Sequence, residues 1–469
     1  MRSIILFELN EVPFKVIDFF CDKNPQSTLA NLLPKCYQYN TFTPDQGHLH
    51  PWSTWPTFHR GVSNHLHKIK DLGEDLTLRD QKYPPIWKIL TQNDIRTGIF
   101  TSMNTFPIPD NPKNYEFYVP DMFAKDSQCL PQEAEAFQEF CLSMTRRSVR
   151  NVDSSIDLKA ALHLLSKLPG LGVKMRTINQ IGLQLLGEKI SHWKTTRRRT
   201  FQAVLSFDIF MKLLEQRKPQ FATFLSNHVA ATMHRYWAAT FPQDYDNMDL
   251  NRGWVKTYKE EINFAMSKFD SFLDRLVKFV HQNKQYLIVV ASSMGQKATR
   301  AKSIQSELTL KDPGKLLSAM GIQVHAWEQL PTMHPQFNLK IKPEFENVLM
   351  AGLGSIEIDG KPLVFRRKDG IFFSIDLGHI NLKDKAIKFN QNVIDAEFLG
   401  LENIKPDESA SGTAYHVPQG CMFIYDAHNG NVENKRPEIE TTAFVPSILE
   451  NFKIPVPDYM TKQRIACLR

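Results

Sequence analysis

The stretch SIILFEL (Ser3–Leu9) decides the fold class, because it is apolar almost without interruption. Two later stretches have the same character, FATFL at 221–225 and YLIVV at 286–290. A strand with one solvated face alternates apolar and polar residues, whereas a continuous apolar run suits a strand that is buried on both faces. The three stretches therefore predict a parallel sheet that is flanked by helices.

Helical patterns lie between these runs and two further β-rich runs, RTGIFTS and GCMFIYD. The helical patterns are PPIWKILTQN (84–93), TYKEEINFAMSKFDSFLDRLVKFVHQN (257–283) and KLLSAMG (315–321). Alternation of strands and helices predicts a doubly wound α/β domain. Ligands of such domains bind beyond the carboxyl ends of the strands, so the residues that follow each strand are the candidates for a functional site.

The composition is that of an ordinary globular protein, with 42% hydrophobic and 23% charged residues in 469. The first nine residues have no long apolar region and no cleavage site, so we expect a strand there instead of a signal peptide. No apolar window of about 18 residues predicts a spanning helix. The six cysteines form no CxxC pair, which indicates reduced thiols and a cytoplasmic protein.

The net charge of +7 is concentrated in one segment. Residues 141–220 contain 15 Lys or Arg against 5 Asp or Glu, so the rest of the chain carries about −3. From about Leu158 to Leu214 this segment has a helical pattern, broken at PGLG. It is expected to be a solvated basic face or to bind an anionic surface, such as the inner face of a membrane.

We expect five parts along the chain. The segment around 333–390 is rich in short alternating strands, as in VFRRKDGIFFSIDLG, and predicts a small β-rich subdomain. The predicted parts are 1–140 (first part of the α/β core), 141–215 (basic helical insertion or cap), 216–332 (second part of the core), 333–390 (β-rich subdomain) and 391–469 (C-terminal part of the core).

Polar residues follow the strands at five places, in an order that resembles a known family. The five segments are ELNEVPFKVID, STWPTFHRGVSNHLHKI, TFLSNHVAATMH, VVASSMGQ and GTAYHVPQG. In this order they resemble the motifs of the alkaline phosphatase superfamily, most closely its nucleotide pyrophosphatase/phosphodiesterase branch. The tail TTAFVPSILENFKIPVPDYM resembles that family's closing helix. The resemblance implies an alkaline-phosphatase-like α/β core.

The resemblance also implies roles for individual residues. Thr54 matches the nucleophile, whose hydroxyl needs a metal or a base to become reactive. His234 and His416 match ligands of one divalent metal, zinc or manganese, and His228 is the third expected ligand, with Asn227 beside it. Together these residues imply one metal site with an open coordination position.

The second metal site of that family is degenerate in this sequence. Asn10 stands where the first aspartate belongs, although Glu8 and Glu11 are close, and Ser293 and Met294 replace an Asp-His pair. Serine is a weak ligand and a methionine thioether prefers soft metals, so we do not expect a second metal. The residues expected to bind substrate or to remain from this second site are Asn10, Glu8, Thr57, Asn227, Ser293, Arg60 and Arg235.

Structural alternatives stand beside these roles. Thr54 could cap a helix that begins near Pro56. His228 and His234 could be hydrogen-bonded core histidines, and Arg60 and Arg235 could form ion pairs instead of binding an anionic substrate.

The leading hypothesis is an enzyme that acts on a phosphate-containing substrate, either a phosphodiester or a nucleotide- or lipid-linked sugar. Thr54 would be the nucleophile or a phosphate anchor, beside at most one complete metal site. One alternative is a degenerate, non-hydrolytic relative that binds a phosphorylated or polysaccharide ligand near a membrane. The other is a sugar-group transferase on the same fold. The expected partner is a phosphorylated small molecule or a glycan, and no nucleic-acid partner is expected.

Overall fold

The computed structural model describes the chain except residues 148–156, 247–249, 300–305, 334–335, 364–366, 379, 384, 405–411 and 469. Part of the segment VFRRKDGIFFSIDLG therefore lies outside the described residues. The described strands are β1 (Ser3–Leu9), β2 (Cys36–Phe42), β3 (Thr97–Phe100), β4 (Tyr115–Val119), β5 (Phe221–Ser226), β6 (Tyr286–Ala291), β7 (Gly295–Ala298), β8 (Glu307–Leu310), β9 (Trp327–Leu330), β10 (Phe337–Ile341), β11 (Ile356–Ile358), β12 (Lys361–Pro362), β13 (Arg367–Asp369), β14 (Phe372–Ile375), β15 (Ile387–Phe389), β16 (Asn392–Ile394), β17 (Leu401–Ile404), β18 (Ala414–Val417), β19 (Gln419–Asp426) and β20 (Glu438–Glu440).

The helices flank these strands along the whole chain. They are α1 (Phe14–Lys23), α2 (Thr28–Leu32), α3 (Pro51–Arg60), α4 (Asn64–His67), α5 (Thr77–Lys82), α6 (Ile86–Gln92), α7 (Glu135–Arg147), α8 (Leu158–Leu171), α9 (Met175–Ile190), α10 (Arg198–Arg217), α11 (His228–Thr240), α12 (Arg252–Tyr258), α13 (Glu261–Gln282), α14 (Pro313–Ala319), α15 (Glu346–Gly354) and α16 (Phe444–Asn451).

The main sheet has eight strands in the order β20-β2-β19-β6-β1-β5-β3-β4. The three continuous apolar runs form β6, β1 and β5, which are adjacent and parallel. Within this sheet only β19 runs against its neighbours, β2 and β6. The α/β class and the mostly parallel sheet predicted from the apolar runs are confirmed.

Strand β1 lies near the middle of the sheet because both of its faces are apolar. Ile5 and Phe7 point into one core cluster, and Ile4 and Leu6 point into the other. The ring of Phe7 is surrounded by aromatic rings, at centroid distances of 5.2 Å from both Phe224 and Phe269. Helices cover both sides, so the end of β1 is held in a fixed position.

A separate core supports the β-rich part of the chain. Two four-stranded antiparallel sheets, β13-β14-β10-β9 and β12-β11-β15-β16, enclose this third cluster. Its buried residues run from Leu308 to Leu401, a wider range than the 333–390 expected from the sequence.

The helical segment divides into two kinds of helix. Helix α10 buries 13 residues, among them Phe207 and Phe210, in the core beside the main sheet. Helices α8 and α9 bury few side chains by comparison. Helix α10 thus packs closely against the α/β core, and α8 and α9 bury less of their surface. In the described part of the chain, no helix is both long and apolar enough to cross a membrane.

Truncation of Phe7 tests this account of the core. The substitution F7A should lower the free energy of unfolding by about 3–5 kcal/mol, because it leaves a cavity among closely packed rings. Chemical denaturation measures the loss. The matched control F398A removes a ring that is 53% exposed and should change stability by less than about 0.5 kcal/mol. Equal losses in the two variants would contradict the assignment of Phe7 to the centre of the core.

Candidate functional site

The carboxyl ends of β1, β5 and β6 bring the predicted polar segments to one edge of the sheet. Asn10 and Glu11 follow β1, Asn227 follows β5, and Ser293 follows β6. Helix α3 contributes Thr54 to the same edge, since the Thr54 hydroxyl lies 2.8 Å from that of Ser293. This is the region in which a doubly wound sheet binds its ligands.

One carboxylate and two imidazoles converge at this edge. The Nε2 atom of His234 lies 2.9 Å from Oε2 of Glu11, and the Nε2 atom of His416 lies 3.2 Å from the same oxygen. One ligand atom from each of the three side chains lies within 4.8 Å of the other two. Glu11 and His416 have side chains only 3% and 7% exposed, whereas His234 is 28% exposed and opens the group to solvent.

The second nitrogen of each imidazole fixes the orientation of its ring. Nδ1 of His234 lies 2.8 Å from the carbonyl of Ala414, and Nδ1 of His416 lies 2.7 Å from the carbonyl of Leu49. A carbonyl only accepts, so both Nδ1 atoms carry the hydrogen and donate it. In the neutral rings, both Nε2 lone pairs then face the carboxylate of Glu11. Such a group needs either a proton on each ring or a cation, and metal-ligating histidines are typically oriented in this way.

Charge coupling within the group is strong. Burial alone would raise the pKa of Glu11, yet the charges of His416 and His234 hold it well below its usual value. Burial alone would lower the pKa of His416, but the neighbouring Glu11 carboxylate raises it above its usual value. The carboxylate is therefore ionised at neutral pH and attracts positive charge. The donor set of one carboxylate and two imidazoles suits zinc or manganese.

Asn10 connects this group to its surroundings. Its Nδ2 donates to Oε1 of Glu11 at 2.8 Å and to Oδ1 of Asn227 at 2.7 Å. Its Oδ1 accepts a hydrogen bond of 2.8 Å from the indole of Trp55. The Nε2 of Gln296 donates to the other oxygen of Glu11. In this arrangement the Asn10 side chain holds the Glu11 carboxylate through a hydrogen bond, and its other contacts are with Asn227 and Trp55.

Thr54 lies inside its helix and is fully buried. Helix α3 begins at Pro51 with His50 as its N-cap, so the alternative that Thr54 caps a helix beginning near Pro56 is wrong. The Thr54 hydroxyl contacts the His50 carbonyl at 3.1 Å as well as Ser293, which is also fully buried. Both hydroxyls are therefore closed to solvent in this conformation.

His228 does not join the carboxylate group. Its Nδ1 lies 2.7 Å from the Ser226 hydroxyl, and its Nε2 donates to the carbonyl of Ala265 at 3.0 Å. Burial lowers the pKa of His228 to about 4, so the ring is neutral. Both nitrogens of His228 are bonded inside the core, so this residue is the hydrogen-bonded core histidine that was the alternative to a metal ligand. Glu11, and not His228, lies with His234 and His416.

Glu8 belongs to the opposite face of the sheet. It shares that face with Ile4 and Leu6 because side chains alternate along β1. Its Oε1 lies 2.7 Å from Nε2 of His59 on α3, and both side chains are buried. Glu11 reaches the site edge because its backbone turns there, with φ of 60°.

Thr57 also serves the structure around α3. Its hydroxyl donates to the carboxylate of Asp45 at 2.7 Å and contacts Nε2 of His67 at 2.9 Å. Burial lowers the pKa of His67 to about 3, so this ring is neutral and Nε2 donates to the threonine oxygen. The three side chains fix the loop before α3 to the turn after it.

The two arginines expected to bind an anion lie in protein contacts. Arg60 is buried and pairs with Asp80 at 2.8 Å, while also donating to the carbonyl of Tyr83 at 2.6 Å. Arg235 is 8% exposed on α11. It lies close enough to Arg199 that its charge, together with burial, lowers the pKa of Arg199 to about 9.

Sequence reasoning named His234 and His416 but did not place Glu11 or Gln296 with them. Glu11 was visible only as a carboxylate next to Asn10. Gln296 is positioned by the antiparallel pairing of β7 with β18, in which it lies opposite His416. No periodicity or spacing in the sequence signals that pairing.

Comparison with known proteins finds structural likeness only, since no family model and no curated protein matches the chain. The murine ectonucleotide pyrophosphatase/phosphodiesterase 5 is 9% identical, with a TM-score of 0.41 over 97% of this chain and 96% of that one. The TAB5 alkaline phosphatase is 11% identical, with a TM-score of 0.38 over 97% and 100%. The phosphonoacetate hydrolase of Sinorhizobium meliloti 1021 is 12% identical, with a TM-score of 0.39 over 95% and 94%.

These three likenesses concern the fold alone. At such low identity and similarity scores, the chemistry of this chain has to be inferred from its own residues.

Removal of any one of the three side chains should weaken cation binding. We expect E11Q, H234A and H416A each to lower the affinity for zinc or manganese by more than about tenfold, because each deletes a donor atom. Calorimetry and elemental analysis after dialysis measure this. The control H325A removes an exposed histidine outside the group and should bind as the unchanged chain does. Unaltered affinity in E11Q would show that the group holds no metal.

Substitution of Asn10 by aspartate tests its supporting role. N10D loses both donated hydrogen bonds and places a carboxylate beside Glu11, so stability should fall by about 2 kcal/mol. Thermal or urea unfolding measures this loss. The same change at the exposed Asn392 is the matched control. If N10D were instead stabilised and bound a second metal equivalent, Asn10 would be a lost ligand position and not a hydrogen-bond donor.

Proposed function

We propose that this chain is an enzyme that acts on a phosphate-containing substrate through one divalent metal held by Glu11, His234 and His416. The single observation that supports this most strongly is the pair of Nε2 atoms directed at one carboxylate oxygen, at 2.9 and 3.2 Å. The proposed substrate is a phosphodiester or a nucleotide- or lipid-linked sugar, and the proposed partner class is a phosphorylated small molecule or glycan.

The residues around the proposed metal have separate tasks. When bound, a divalent cation supplies Lewis-acid polarisation of a phosphoryl oxygen. Glu11 and the two histidines hold it, while Asn10 and Gln296 hold the Glu11 carboxylate in place. The carbonyls of Ala414 and Leu49 keep both imidazoles in the ligating orientation.

An anionic group can approach from the side of α11. Asn227 is exposed, and it is the N-cap of this 13-residue helix without a side-chain cap bond. Helix N-termini favour negative charge because their first amides lack partners within the helix. His234 is on the same helix and is the exposed member of the group. A phosphate is therefore the chemical class that we propose for the open side of the site.

Thr54 is the proposed nucleophile or phosphate anchor, on the strength of the motif that it shares with the alkaline phosphatase superfamily. Its burial favours the second candidate function, a degenerate relative that binds its ligand without hydrolysis. Asn10, Ser293 and Met294 support the same candidate, because none of them is a good ligand for a second hard metal. The other alternative, a sugar-group transferase on this fold, would likewise not use Thr54 for hydrolysis.

Turnover of an aryl phosphodiester with zinc or manganese separates these candidates. We expect turnover to depend on the metal, to be lost in E11Q, and to fall by more than about 100-fold in T54A. T54S, which keeps the hydroxyl, should retain most of it, and H325A is the matched control.

The outcomes of this experiment are distinct. Full activity in T54A would remove Thr54 from the mechanism but would leave the metal site standing. Cation binding without turnover of aryl phosphodiesters would support the non-hydrolytic candidate. Absence of both cation binding and turnover would overturn the proposed enzyme.

A further inference from the structure

Helices α8 and α9 carry large apolar side chains on their outer faces. Three are on α8 and four on α9, at spacings that place each set along one stripe of its helix. More than half of each residue is exposed: Leu158 (75%), Leu162 (66%), Leu165 (56%), Met175 (69%), Leu183 (69%), Leu186 (60%) and Ile190 (87%). We call these the exposed stripes.

Helix α9 has a polar network on its inner face, beside the partly buried Ile178 and Ile181, which pack against the main core cluster. Its buried residues are polar, namely Thr177, Gln184 and Glu188. The Nε2 of Gln184 donates to Glu188 at 3.0 Å and to the carbonyl of Lys194 at 2.7 Å. Glu188 also pairs with Arg198 at 2.6 Å. These polar contacts, together with the packing of Ile178 and Ile181, hold the inner face of α9 against the protein and leave Leu183 and Leu186 outside.

Helix α8 is anchored in a different way. Leu164, Leu168 and Leu171 pack into the main core cluster. The link to α9 is held to α10, since the Lys174 amide donates to Asp208 at 2.9 Å. Both exposed stripes therefore lie on helices whose inner faces already pack against the rest of the protein or form hydrogen bonds with it. Apolar surface of this extent on anchored helices points to an interaction surface.

The charge around the exposed stripes decides the kind of partner. Residues 158–199 contain nine Lys or Arg and one Asp or Glu, and that one, Glu188, is paired with Arg198. Lys159, Lys167 and Lys189 are exposed on the two helices that carry the stripes. A second copy of the chain would bring like charges together. An apolar face rimmed by lysines instead complements an anionic lipid surface, where the apolar side chains enter the interface.

We propose that α8 and α9 dock the protein onto an anionic bilayer, with the exposed stripes inserted into the interface and the basic residues on the headgroups. This docking is independent of the metal site, so a failure of the proposed enzyme would not affect it. It does not require a helix that crosses the bilayer.

Vesicle co-sedimentation tests the proposal on the full chain. Phosphatidylcholine vesicles that contain phosphatidylserine should bind the protein, and vesicles of phosphatidylcholine alone should bind it at least about tenfold less well. An increase of salt from about 0.1 M to about 0.5 M should release much of it. The double variants L162E/L165E and L183E/L186E should each weaken binding by about tenfold or more, because a charge replaces each inserted side chain.

Two controls make the result decisive. L78E introduces a charge at a leucine that is 77% exposed on α5 and should bind as the unchanged chain does, as should E11Q. Circular dichroism should show both double variants folded, since their altered positions are exposed. Equal binding by both double variants, or no binding of the unchanged chain to anionic vesicles, would overturn the proposal. A vesicle-free dimer that L183E/L186E separates in light scattering would overturn it in favour of a second copy.

Discussion

The contact of the Glu11 carboxylate with His234 and His416 is the interaction on which the rest of the site depends. The carboxylate is placed by the central strand β1, whose two apolar faces fix the sheet, and by the turn that redirects the backbone immediately after that strand. Residues far apart in sequence reach the carboxylate through separate elements, His234 on α11 and His416 on β18. The fold therefore determines the chemistry at this edge, because it places two histidines from distant parts of the chain beside one buried carboxylate.

The main sheet was predictable because its signal is local. A continuous apolar run such as Ser3–Leu9 has few stable locations other than the interior of a parallel sheet. The positions of His234 and His416 after or before strands were visible for the same reason. The partner that unites them was not, because the choice between Glu8, Asn10 and Glu11 depends on which way one turn points. Burial of Thr54 was equally hidden, since it involves contact of α3 with Ser293, which follows β6 and is distant in sequence.

The basic segment shows that composition alone does not distinguish helices that differ in burial. Its charge and helical periodicity predicted a single insertion; within it, α10 buries 13 of its 20 residues, while α8 and α9 expose leucines. Amphipathicity alone could not give the orientation of α9, because apolar residues lie on both of its faces and a buried polar network involving Gln184 and Glu188 accompanies those that lie inside.

The electrostatics of this group favours positive charge beside Glu11. The charges of His416 and His234 hold the pKa of Glu11 well below its usual value, and the Glu11 carboxylate raises the pKa of His416. A divalent ion bound there would supply that positive charge and would leave the hydrogen bonds from Asn10 and Gln296 unchanged. The supporting network does not need the metal for its own formation. The Glu11 carboxylate is thus oriented in advance for a positive charge.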